Sequence, residues 1–165
     1  MTPKNKQNRQ KEKVMNNTNE NKTSDIYLAH VDFETGRTQS FQEHTDNVTS
    51  YAKSICPMGE IQKLVEAAAL FHDAGKLSDD VQKDFQDILK KGDQAHRNDL
   101  DHSTAGGRML WKMMRQKTAA ELLSTVVYSH HGISDCIDFE SGCTLQERRA
   151  EKECQEDIVK ERFFP

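Results

Sequence analysis

One apolar stretch constrains this chain more than any other feature, because it runs directly into two ionisable residues. Leu64-Val65-Glu66-Ala67-Ala68-Ala69-Leu70-Phe71 is the most apolar segment of the sequence, and His72-Asp73 follow without a break. The run is far short of the ~20 residues a membrane span needs. It suits a buried helix over about residues 60–73 instead. Such a helix delivers an imidazole and a carboxylate side by side from the core. An unpaired buried carboxylate costs several kcal/mol, so this pair demands a cationic partner. Neutral imidazole and carboxylate are the usual ligands for catalytic Zn, Mn, Fe, Co and Ni.

The rest of the pattern predicts more helices around that one. Ser40 and Glu43 form a capping box for a helix carrying His44, Val48, Tyr51, Ala52 and Ile55 at helical spacing, ended by Pro57. Gly75 reads as the C-cap of the central helix. Ser78 caps a third helix with Asp79 and Asp80 in its first turn and Val81, Phe85, Ile88 and Leu89 inward. A fourth helix is expected over about residues 103–116. A fifth opens at a Thr118/Glu121 capping box and runs through Leu122, Leu123, Val126 and Val127 to His130. A last one is expected over about residues 144–162, from the Thr144/Glu147 spacing and from Leu145, Cys154 and Ile158. Before them, residues 26–33 and a turn at residues 34–37 read as a short hairpin or loop. The expected class is all-α.

Charge divides the chain. Of its 23 Lys+Arg and 27 Asp+Glu, six basic and two acidic residues fall in residues 1–24. That segment is rich in Asn, Lys, Gln and Thr and cannot bury enough surface to order itself, so it is expected to be a disordered basic tail. A basic arm that touches nucleic acid is the alternative. Residues 25–165 keep 17 basic and 25 acidic residues, a charge of −8. That balance does not favour nucleic-acid binding by a broad basic face. With no apolar run of membrane length and no secretory h-region, the expectation is a cytoplasmic protein without membrane partners. Cys56, Cys136, Cys143 and Cys154 have no C-x-x-C spacing, which argues against zinc ribbons and redox motifs.

Five of the seven histidines recur in an ordered set: Glu43-His44 with Asn47-Val48, then Phe71-His72-Asp73-Ala74-Gly75-Lys76, then Asp101-His102-Ser103-Thr104-Ala105-Gly106-Gly107, then Ser129-His130-His131-Gly132. One such histidine is more often a hydrogen-bonded core residue than a ligand, but the set favours a metal. With these motifs the chain resembles the HD-domain metal-dependent phosphohydrolases, and within them the HD nuclease of type I CRISPR-associated interference systems. Ala29-His30-Val31 is similar to that family's N-terminal segment. The resemblance spans about residues 26–135.

The resemblance implies an HD-domain helical bundle over residues 25–165 and a site for two divalent transition metals, drawn from Mn, Fe, Ni and Co. His44, His72 and Asp73 would hold one metal. Asp73 would bridge to a second, held by His102, His130 and His131. Such a pair of ions clamps a phosphodiester and activates water. Asp73 and Lys76 would be catalytic, and Lys76, Ser103 and Thr104 would contact substrate. A solvated Lys76 is the plainer reading, and Ser103 and Thr104 could instead cap their helix. His96, in a polar loop, receives no role, and neither does His30, since the matching family position is not a ligand. The implied substrate is single-stranded DNA, and the implied partners are a CRISPR surveillance complex and a helicase. No phosphate loop of the Gly-x-x-x-x-Gly-Lys-Ser/Thr type occurs here, so the helicase would be a separate chain or a missing part.

The sequence departs from the family at one place. A further Asp ligand is expected on a late helix, in a Val-Asp-Ala-Asp-like segment, and nothing similar stands here. Asp135 matches a loop residue of the family; Asp138 and Asp157 are candidates only by default. The expectation is an incomplete first metal site, reduced activity and a C-terminally incomplete domain. Two alternatives stay open: an HD phosphohydrolase acting on nucleotides or cyclic nucleotides, and a truncated, non-catalytic metal-binding domain.

Overall fold

Two short strands lead into the first helix, and both are built by local chemistry. A computed structural model describes residues 26–56, 59–92, 99–138 and 142–165. The expected basic tail, Pro57 and His96 lie outside the described residues. Strand β1 (Leu28–Val31) pairs antiparallel with β2 (Thr38–Ser40). Asp32 shapes the turn between them, accepting from the Glu34 and Thr35 amides at 2.9 and 3.1 Å. Helix α1 (Phe41–Ile55) follows at once. The Ser40 side chain accepts from the Glu43 amide at 3.1 Å, as the capping-box reading requires.

The apolar run forms α2 (Gly59–Phe71), which stops two residues earlier than the sequence suggests. His72 and Asp73 therefore lie in a turn, not on the helix. A short 3-10 turn (Ala74–Leu77) follows, and Gly75 sits inside it rather than capping α2. Ser78 then caps α3 (Asp79–Lys91), accepting from the Val81 amide at 3.4 Å. Val81, Phe85 and Ile88 are buried, but Leu89 is exposed. The α3 face closes over β1, where Leu28 joins the same small cluster.

Helices α4 (Thr104–Met113) and α5 (Lys117–Tyr128) pack side by side. The N-cap of α5 is Gln116, whose side chain accepts from the Ala119 amide at 2.5 Å, in place of the expected Thr118. Leu123 and Val127 are buried, whereas Leu122 and Val126 face outward, as do Tyr51 and Ile55 on α1. The expected long last helix is divided. A two-stranded pair, β3 (Ile137–Asp138) and β4 (Gly142–Cys143), precedes a π-helical turn at Glu147–Glu151 and a short α6 (Glu156–Phe163). On α6 the buried residue is Val159, at 0% exposure, and not Ile158.

One core joins α2, the 3-10 turn, α4, α5 and α6 through Phe71, Leu77, Met109, Leu110, Leu123, Val127 and Val159. The described residues thus form the expected all-α bundle with an N-terminal hairpin. Close backbone approach makes the junction possible. A Cβ on Gly106 would stand 2.0 Å from the Phe71 carbonyl oxygen, and one on Gly75 would stand 2.3 Å from that of His102. Both approaches draw the His72-Asp73 turn and the start of α4 together. The Gly75 amide donates to the His102 carbonyl at 3.0 Å across that junction.

Candidate metal centre

Asp73 is 3% exposed and sits at the meeting point of four segments. Its two carboxylate oxygens face different groups. Oδ2 lies 2.8 Å from His44 Nε2, 3.2 Å from His72 Nε2 and 2.8 Å from Lys76 Nζ. Oδ1 lies 3.2 Å from His130 Nε2 and 3.5 Å from His102 Nε2. His131 joins this second side, its Nε2 2.6 Å from His102 Nε2. All six residues expected to hold metal thus converge, although they come from α1, two turns and the loop before α4.

Backbone carbonyls orient the imidazoles. His72 Nδ1 donates to the Ala69 carbonyl at 2.6 Å, His102 Nδ1 to Leu100 at 2.9 Å and His130 Nδ1 to Val127 at 2.8 Å. A carbonyl can only accept, so each Nδ1 carries a proton and, in the neutral ring, each Nε2 turns a lone pair inward. This is the arrangement by which proteins fix a histidine as a metal ligand. Its cost without a cation is visible. Asp73 Oδ1 and His130 Nε2 are both buried, yet their contact is too poorly directed to be a hydrogen bond, and neither atom has another. On the other side, His44 Nε2 and His72 Nε2 face each other at 3.1 Å. Converging lone pairs around one carboxylate fit a cation. Asp73 with His102, His130 and His131 forms one group able to hold a metal ion, and His30 with His44 and Asp73 forms another.

The electrostatics follow the same logic. Burial works to raise the Asp73 carboxyl, but the His130, His44 and His72 imidazoles and the Lys76 ammonium hold it well below the usual carboxylate range. Burial pushes His102 down, against the pull of the Leu100 carbonyl and Asp73. His130 is also pressed down by burial, but Asp73 and the Val127 carbonyl outweigh that and raise it. Lys76 is 7% exposed, so the reading of a solvated lysine does not hold.

Asp101, beside His102, organises the start of α4. It accepts from the Ser103 and Thr104 amides, both at 3.0 Å, and from the Thr104 hydroxyl at 2.7 Å. The capping oxygen is thus that of Asp101, not of Ser103 or Thr104. Thr104 is fully buried. The Ser103 hydroxyl faces Arg148, which donates to it at 2.8 Å. Burial works to raise the Asp101 carboxyl, but Lys152 and Thr104 hold it well below its ordinary range. A cleft of about 500 Å3 opens here, lined by Lys76, His102, Ser103, His131, Arg148 and Lys152.

Sequence reasoning left out three of these groups. His30 approaches Lys76 Nζ at 3.5 Å and packs edge-on against the His44 ring at 4.6 Å. Nothing in helical spacing could flag it, because it comes from a strand. Arg148 and Lys152 come from the segment expected to form the last helix, to which the sequence reading gives no part in the site. Of the default carboxylates, Asp157 is exposed. Among the described residues, Asp73 is the only carboxylate in the groups able to hold a metal.

A family model described as "Cas3, HD domain" matches residues 29–162, and the chain belongs to that family. Neither a curated protein nor a solved structure matches it. No helix among the described residues is long and apolar enough to cross a membrane.

Proposed function

We propose that this chain, a CRISPR-associated HD-type nuclease by family, hydrolyses phosphodiester bonds of single-stranded DNA and does so beside a helicase. The observation that carries the reading is Asp73, one buried carboxylate with imidazoles gathered on each of its oxygens. Two divalent transition metals, from Mn, Fe, Ni or Co, suit this imidazole-rich set better than Mg or Ca. When bound they supply charge stabilisation at a phosphoryl group and a water acidified to near-neutral pKa.

The chain's own residues do the rest. His44 and His72 would hold one ion on the Oδ2 side of Asp73, and His102, His130 and His131 would hold the other on the Oδ1 side. The carbonyl bonds of Ala69, Leu100 and Val127 hold three imidazoles in one tautomer, so the site needs little rearrangement to bind. Lys76 brings an ammonium to the same cleft, where it contacts the phosphate as a compact positive charge. Ser103, Arg148 and Lys152 line the path a flanking nucleotide takes. Thr104 acts behind them, through Asp101. A body of −8 thereby meets a polyanion at one locally positive place.

The reading is tested by incubating the purified chain with Mn(II), Ni(II), Co(II) or Fe(II) and single-stranded DNA, duplex DNA, mononucleotides or cyclic dinucleotides. It expects cleavage of single-stranded DNA that chelator, His72→Ala and Asp73→Ala each abolish. Turnover confined to small nucleotides, or bound metal with no turnover at all, overturns it.

A further inference from the structure

The two halves of the centre are unequal in donors. The Oδ1 half has three imidazoles, from His102, His130 and His131. The Oδ2 half, as assigned from sequence, has only two, from His44 and His72. We propose that His30 is the third imidazole of that half, a protein ligand of the metal held by His44, His72 and Asp73. The assignment rests on the metal-centre reading above and extends it to a residue outside the four motifs.

His30, His44 and Asp73 each offer one ligand atom, and these atoms all lie within 4.8 Å of one another. Ligands of one ion at about 2.0–2.2 Å from it lie no farther apart than about 4.4 Å, so the three side chains need to close by no more than a few tenths of an ångström to share one ion. The hairpin is built to aim the ring. The β1–β2 register slips between Leu28 and His30, so that Leu28 and Ala29 are both buried and His30 emerges beside the site. A bulge of this kind re-aims a side chain. The strand is also pinned. Gln82 on α3 accepts from the Leu28 amide at 3.0 Å, donates to the Leu28 carbonyl at 2.8 Å and donates to the Lys76 carbonyl at 2.6 Å. One side chain thus fixes His30's strand and the Lys76 turn against each other.

Lys76 Nζ stands 2.8 Å from Asp73 Oδ2 and 3.5 Å from His30 Nε2. The ammonium lies where positive charge is wanted by both groups. A divalent ion held by His30 and Asp73 would take over that role, leaving the ammonium to the cleft that Lys76 already lines.

The test is Mn(II) binding by equilibrium dialysis, read as ions per chain and affinity for each, with no activity involved. Wild type is expected to bind two ions. His30→Ala is expected to weaken one of them at least tenfold and leave the other within threefold. In a His131→Ala background, where the Oδ1 half is crippled, His30→Ala is expected to remove most of the remaining binding. His30→Asn is the second variant, used if the alanine variant loses its metal-free melting transition. Two ions retained within threefold in the His30 variant overturn the assignment and leave the metal-centre reading standing. So does a single wild-type ion that the His30 variant keeps. A wild-type chain that binds no ion overturns both.

Discussion

His102 Nε2 and His131 Nε2 lie 2.6 Å apart, while the His102 Nδ1–H is committed to the Leu100 carbonyl at 2.9 Å. In the neutral ring the His102 nitrogen facing His131 is therefore a lone pair, free to share a proton or a metal ion with His131. His131→Ala removes one donor from a convergent set and should weaken divalent binding at that half about 10–100-fold, the range typical of losing a group that supports a metal. Mn(II) titration followed by the rise in melting temperature checks this. An unchanged rise in the variant contradicts it.

Lys76 and Asp73 form a buried pair at 2.8 Å. Removing one member of such a pair costs about 3–5 kcal/mol, because the other charge stays buried. Lys76→Ala should therefore melt earlier than wild type without metal. The same change removes a competing cation, so it should bind Mn(II) more tightly, by about tenfold or about 1.4 kcal/mol. Cleavage should nevertheless fall, since the phosphate loses its lysine contact. Melting with and without Mn(II), together with the DNA assay, separates the three effects.

Gly106 faces the backbone of α2 at the end of the apolar run. An added Cβ would meet the Phe71 carbonyl oxygen at 2.0 Å, and a carbonyl cannot rotate away as a side-chain tip can. Gly106→Ala should cost about 1–3 kcal/mol or more by urea denaturation. Its metal affinity should fall as well, because the displaced backbone leads directly into His72 and Asp73.

Arg108, 9% exposed, donates to the Arg148 carbonyl at 2.7 Å and to the Lys152 carbonyl at 2.6 Å. It ties the π-helical turn to α4 and so holds Arg148 and Lys152 at the cleft. Arg108→Leu should cost about 1.5–3 kcal/mol per charged hydrogen bond lost. Hydrogen exchange should rise over residues 147–152 while α2 and α5 stay protected. Exchange that rises everywhere instead would mean that Arg108 supports the whole core.

How far the sequence carried these conclusions depends on range. Ser40 and Ser78 announce their helices because a cap is a local event, settled within four residues. The histidines at positions 44, 72, 102, 130 and 131 are readable because each stands in a short motif. Leu89 is expected inward, but the direction of a helix face depends on what packs beside it, and it points to solvent. The end of α2 was placed too late, since the reason it stops is tertiary: the turn must swing Asp73 into the imidazoles. His30 is set aside in sequence because the matching family position is not a ligand, and the bulge and Gln82, 52 positions away, that bring it beside Lys76 and His44 leave no local mark. Where the last helix divides, Arg108 reaches carbonyls some 40 residues on, a contact that no periodicity encodes.

The central claim is that Asp73 joins two metal ions, one on each oxygen. Electron paramagnetic resonance of the Mn(II)-loaded chain tests it most directly, because two ions sharing a carboxylate couple magnetically. The account predicts two Mn(II) per chain with a coupled spectrum, and loss of the coupling in Asp73→Asn. Uncoupled single-ion spectra in wild type, or a coupled spectrum that survives Asp73→Asn, would contradict it.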